Sequence, residues 1–132
     1  MKAPLAVPPA VRALCFVLVA AAATQLLFLD EPAFAERIVE ATWDKAVHAT
    51  VYGGMAFLLW IGFAGRRAWL IWAAVALVGA LDETHQMFVP GRDPDLHDFY
   101  ADGLGAAAVL LFLQAVTSPR PLPGPARLFS GD

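Results

Sequence analysis

The stretch AWLIWAAVALVGAL at 68–81, followed by DETHQMFVPGR at 82–92, decides how many times this chain can cross a bilayer. A hydrocarbon core of about 30 Å needs about 20 helical residues. The apolar part alone is too short. It spans only if Asp82, Glu83 and the residues after them continue the same helix. Pro90-Gly91 then stops the helix and turns the chain. The spacing therefore predicts a helix over about 68–87 that carries two acids at one end.

Three further apolar segments surround it, over about 13–29, 46–64 and 99–116. The first has no charge, the second has His48 near its start, and the fourth has Asp102 in its first turn. Each is long enough to span. Backbone groups in lipid must pair within the segment, and no alternating pattern of barrel strands is visible, so the spanning element is helix. The expected fold is all-α: one four-helix transmembrane bundle in a single domain of 132 residues. Composition agrees. The hydrophobic fraction is 59%, the charged fraction 16% and the mean hydropathy +0.60. A soluble domain runs near 45–50% apolar and about 25% charged.

Basic residues set the orientation. With four spans, the side of the amino terminus holds Lys2, Arg12, Arg66, Arg67, Arg120 and Arg127, against Arg37, Lys45 and Arg92 on the other. Both termini are therefore expected in the cytoplasm. Eleven of the 12 acids and all 3 histidines then fall on the exterior side, Asp132 being the exception. Acids set topology weakly, so their segregation needs another reason, and an exterior-facing polar site is one.

The ends of the chain are Pro-rich. Residues 117–132, with Pro119, Pro121, Pro123 and Pro125, read as a flexible cytoplasmic tail, and the start, with Pro4, Pro8 and Pro9, reads the same way. An alternative for the amino terminus is a secretory signal ending at Ala33-Phe34-Ala35, although its apolar run is long for one. The net charge of −3 leaves no basic surface for nucleic acid. Cys15 is the one cysteine; it has no disulfide or metal partner and reads as a packing residue.

Two polar clusters remain. Asp44, His48 and Tyr52 are spaced four and four and share one helical stripe, beside Lys45. Such a stripe must face the bundle interior or a wet cavity. Glu83 and Gln86 share a face, and so do Asp95, Asp98 and Asp102, with Arg92 between the two sets. A guanidinium there can pair with two carboxylates. A plain helix cap at Asp44, an ordinary interfacial acid at Asp82 and a solvated loop around His85 and His97 are the competing readings.

The quoted residues resemble the VanZ-like family: Asp44-Lys45-x-x-His48 with Tyr52, then Asp82-Glu83-x-His85-Gln86-x-Phe88-x-Pro90-Gly91-Arg92, then Asp98-x-x-x-Asp102-x-x-Gly105. The resemblance covers about residues 13–116. Asp102 stands where many members carry Asn, and Asp93-Pro94-Asp95 stands where a Ser is common. The family takes its name from a protein linked to glycopeptide (teicoplanin) resistance in bacteria. What the resemblance implies is a multi-pass protein of the bacterial cytoplasmic membrane, with Asp44, Lys45, His48, Glu83, Gln86, Arg92 and Asp98 as motif residues. It implies no particular reaction.

Three functions fit these residues. A membrane-embedded enzyme would act on a lipid-linked envelope component, with Glu83 or Asp98 as general base and His48 as proton carrier. Asp44, Lys45, Tyr52, Gln86, Arg92 and Asp102 would hold the substrate. A non-enzymatic binder would use the same cavity for a lipid headgroup, a glycopeptide, an ion or a partner protein. An ion- or proton-coupled carrier is the third. Serine catalysis is not expected, because Ser118 and Ser130 fall across the membrane from the histidines. His and carboxylates suit Zn²⁺ or Mn²⁺, but no HExxH or CxxC spacing is present, so no metal or cofactor is assigned.

Overall fold

The computed structural model describes residues 4–28, 41–89 and 94–118. Among these residues there are four α-helices and no strand: α1 (Pro9–Phe28), α2 (Ala41–Gly62), α3 (Ala68–Gln86) and α4 (Leu96–Thr117). They contain 20, 22, 19 and 22 residues. At about 1.5 Å per residue each is about 30 Å long. By length and composition α1 and α4 are apolar enough to cross a membrane. The acidic end of the stretch at 68–92 does continue α3, as far as Gln86.

The other helices start earlier than their apolar segments. An apolar count marks only the greasy part of a helix, whereas the backbone keeps helical geometry wherever its caps allow. Pro9 opens α1 at the one position where a missing N–H costs nothing. Asp95 (φ −121°, ψ 117°) caps α4, its side chain accepting from the His97 N–H at 2.8 Å. Asp44 and Lys45 are consequently inside α2, not ahead of it.

The segment before α1 is not the free extension expected from its prolines. The Leu5 N–H donates to the Ala64 carbonyl at 2.9 Å, and the Leu5 side chain covers Gly65. The α2–α3 turn that receives it needs the left-handed region at Ala64, Gly65 and Arg67 (φ 54°, 74° and 62°). Arg12 Nε donates to the Gly62 carbonyl at 2.8 Å, which places a cation at the negative end of α2. Arg12, Arg66 and Arg67 thus belong to one end of the bundle.

Buried residues form stripes with a step of four. On α2 the stripe is Tyr52, Ala56 and Trp60; on α4 it is Asp98, Asp102, Ala106 and Leu110. On α3 it runs Ile71, Val75, Gly79, Glu83, with Asp82 and Gln86 beside it. Each stripe is apolar toward the arginine end and polar toward the other. α2 and α4 form the most extensive helix pair. Small residues make their close approach possible. A Cβ on Gly105 would strike the Ala49 backbone, and one on Gly53 would lie 3.2 Å from Val109 Cγ2 and 3.3 Å from the Gly105 carbonyl oxygen. Val19, Ala22, Ala23 and Leu26 of α1 pack onto this core, and Cys15 is buried. Large apolar side chains, including Val17, Trp69, Leu77, Leu104 and Phe112, cover the outside.

Ala33-Phe34-Ala35, the Pro90-Gly91-Arg92 turn and the tail beyond Ser118 lie outside the described residues.

Gly105→Ala should lower the thermal midpoint of the purified full-length chain, at a cost of about 1–3 kcal/mol for overpacking. Gly54→Ala, at a position with nothing within 4 Å of an added Cβ, should be neutral or stabilising. Equal midpoints for the two variants would contradict the α2–α4 crossing.

Candidate functional site

The polar ends of the three stripes meet at the end of the bundle away from the arginines. α2 brings Asp44, Lys45, His48 and Tyr52, α3 brings Asp82, Glu83 and Gln86, and α4 brings Asp98 and Asp102. Asp82, Glu83, Gln86, Asp98 and Asp102 are all buried, Asp102 completely. A buried carboxylate without a partner costs several kcal/mol, so each needs a donor or a cation.

α2 supplies most of the donors. His48 Nδ1 lies 2.9 Å from Asp102 Oδ1, and its Nε2 lies 3.9 Å from Asp44 Oδ1. Tyr52 donates its hydroxyl to Asp82 Oδ2 at 3.0 Å, and its ring stacks with His48 at a centroid distance of 6.1 Å. Lys45 Nζ donates to Asp98 Oδ1 at 2.9 Å and to Asp95 Oδ2 at 3.1 Å. The Asp95 N–H in turn donates to Glu83 Oε2 at 2.9 Å, tying the start of α4 to the end of α3. The His97 backbone N–H, the His97 ring and then Lys45 hold the Asp95 carboxyl well below the usual carboxylate range. Two buried oxygens, Glu83 Oε1 and Asp102 Oδ2, have no hydrogen-bond partner among the described residues. Asp102 Oδ2 instead faces Gly79, where a Cβ would come within 2.8 Å.

Seven of the nine residues singled out from the sequence are joined here: Asp44, Lys45, His48, Tyr52, Glu83, Asp98 and Asp102. Gln86 is buried one turn beyond Glu83. Arg92 lies outside the described residues. His97 is exposed and bonds to Asp95 within the α4 cap, and His85 is half-buried in the last turn of α3. Two further members lay outside those nine. Asp82, given the plain reading of an interfacial acid, is buried against Tyr52. Asp95 is both helix cap and Lys45 partner; an Asp two residues before His97 at the mouth of a helix was the available signal.

Cys15 and Ser118 sit toward the arginine end, away from this cluster. The residues at hand are carboxylates, an imidazole, an ammonium and a phenol. They can accept hydrogen bonds, move a proton or hold a cation. Glu83 also borders a surface groove of about 380 Å³ between the end of α3 and the start of α4, whose other walls include Met87, Leu96 and Phe99.

A family model described as VanZ/LLP1 matches residues 12–117, which takes in all four helices almost entirely. The chain belongs to the VanZ/LLP1 family. No curated protein and no solved structure matches it. For this VanZ/LLP1 chain, function therefore has to be argued from the cluster and its groove.

Tyr52→Phe removes the hydroxyl that donates to buried Asp82 and should cost about 1–3 kcal/mol. In an Asp82→Asn background, where no charge needs that donor, the same change should cost clearly less. Thermal unfolding of the four proteins gives the cycle, and additive losses would mean that the two side chains are not coupled.

Proposed function

We propose that this chain is a four-span protein of the bacterial cytoplasmic membrane, with both termini in the cytoplasm. Its exterior end receives the polar head of a lipid-linked envelope component. The observation that carries the proposal is the groove beside Glu83. Met87, Leu96 and Phe99 give it apolar walls suited to an acyl or prenyl chain, and Glu83 gives it a single carboxylate that leads into the buried cluster.

Three further facts support the membrane setting. Each helix is close to bilayer length. The outward faces are apolar. Arg12, Arg66 and Arg67 lie at the end opposite the acids, as basic cytoplasmic residues do. Membrane lipids are then the immediate surroundings of the bundle.

Glu83 and Asp98 accept hydrogen bonds from hydroxyl or amide groups of the head, and Glu83 is the group placed to act as general base, with His48 relaying a proton. Lys45 is already committed to Asp95 and Asp98. Pairing with an anionic part of the ligand falls to Arg92, by its place in the sequence.

Two experiments test this reading. In a Cys15→Ser background, a cysteine at Pro94 should react with a membrane-impermeant maleimide in intact cells, and one at Arg66 only after permeabilisation; the reverse pattern overturns the topology. Glu83→Gln, expressed at the wild-type level, should alter the pool of lipid-linked envelope precursors measured by mass spectrometry. An unchanged pool removes the functional assignment while leaving the topology standing.

A further inference from the structure

We infer that His48, Glu83 and Asp102 bind one divalent transition-metal ion, of the zinc or manganese class, at the polar end of the bundle. The three side chains come from α2, α3 and α4, and each offers a ligand atom within 4.8 Å of the other two. Ligands around a metal at about 2.1 Å lie up to about 4.2 Å apart, so small side-chain rotations close the set.

The second observation is independent of the clustering. Glu83 is only 9% exposed, yet its Oε1 has no hydrogen-bond partner among the described residues, and fully buried Asp102 leaves Oδ2 unpartnered among them as well. Buried carboxylate oxygens without donors are expensive, and a cation is the partner that satisfies several at once. The cations among the described residues are already engaged. Lys45 is held by Asp95 and Asp98. His48 answers Asp102 through one nitrogen, and among the described residues Glu83 receives the Asp95 N–H alone.

The donor set fixes the class of ion. Mg²⁺ and Ca²⁺ favour all-oxygen sites. One imidazole with two carboxylates suits Zn²⁺ or Mn²⁺. Three protein ligands leave a position open, the pattern of a metal that holds water or a ligand rather than a closed structural site. Asp44, His48 and Asp98 form an alternative group that shares His48, but Asp44 is half-exposed and, among the described residues, the group shows no unpartnered buried oxygen. No local motif announces the site because its ligands lie on three different helices.

The inference does not need the lipid proposal, since metal uptake is measured without a lipid substrate. Tag-free full-length protein in detergent is stripped of metal and dialysed to equilibrium against ZnCl₂ or MnCl₂, and bound metal is counted by mass spectrometry. One ion per chain is expected, with binding weakened at least about tenfold in both Glu83→Gln and Asp102→Asn. His97→Gln, which removes an exposed histidine, should bind as the wild type does. Metal-free circular dichroism reports whether each variant is folded; should Asp102→Asn not fold, Glu83→Gln and the wild-type stoichiometry decide. No uptake by the wild type, undiminished uptake by Glu83→Gln, or loss in Asp44→Asn or His97→Gln with retention in Glu83→Gln would each overturn the assignment.

Discussion

The burial of carboxylates between α3 and α4, answered by donors from α2, is the constraint on which the rest of the bundle turns. Asp102 shows it most clearly. It has no exposure, His48 on one side and the bare backbone of Gly79 on the other. One turn further along α4, Gly105 lets the helix touch the backbone of α2 at Ala49. The same crossing that brings the two backbones together sets the reach of His48 to Asp102. A side chain at either glycine would separate what the polar pair requires to be close. Packing and polar satisfaction are therefore one geometric condition here.

That condition divides the bundle along its axis. Toward the arginine end, Ile71, Val75, Ala106, Leu110 and Trp60 fill the interior. Toward the other end the same stripes carry Asp82, Glu83, Asp98 and Asp102. In the bilayer setting proposed for this bundle, apolar side chains would gain little by leaving lipid for protein, so close small-residue contacts and interhelical hydrogen bonds would carry more of the association. Ala49, Gly53 and Gly105 provide the first, and the Tyr52–Asp82 and His48–Asp102 pairs provide the second. The polar end is thus part of what aligns the helices as well as the place where chemistry is concentrated.

Much of this was legible in the sequence, because helical spacing is local. The four-residue steps Asp44–His48–Tyr52 and Asp98–Asp102 already put those residues on single faces, and the acidic end of the third segment was correctly joined to its helix. What could not be read was contact between helices. Nothing local says that Tyr52 meets Asp82, or that Lys45 reaches across to Asp95 and Asp98. Asp82 looked ordinary because its partner lies thirty residues away on another helix. The starts of the other three helices were placed too late for a different reason: apolar runs report burial in lipid or protein, while a cap such as Asp95 sets where the backbone begins to coil. The amino-terminal segment looked free because its prolines speak only for local stiffness, not for the Leu5 bond to Ala64.

The charge balance of the cluster narrows what can approach it. Among the described residues, the six acids Asp44, Asp82, Glu83, Asp95, Asp98 and Asp102 have Lys45, His48 and, at the exposed α4 cap, His97 as their basic partners. Lys45 is enclosed by two carboxylates and His48 by Asp44 and Asp102. The described residues alone would repel a free anion at this end. A group rich in hydroxyls, amides or amines, or a metal ion, would meet acceptors already held in place by the helix crossing. On the proposed function, a ligand entering by the groove beside Glu83 would come as a hydrogen-bond donor or a cation. Any anionic part it carries must be met outside the cluster or masked by an ion within it.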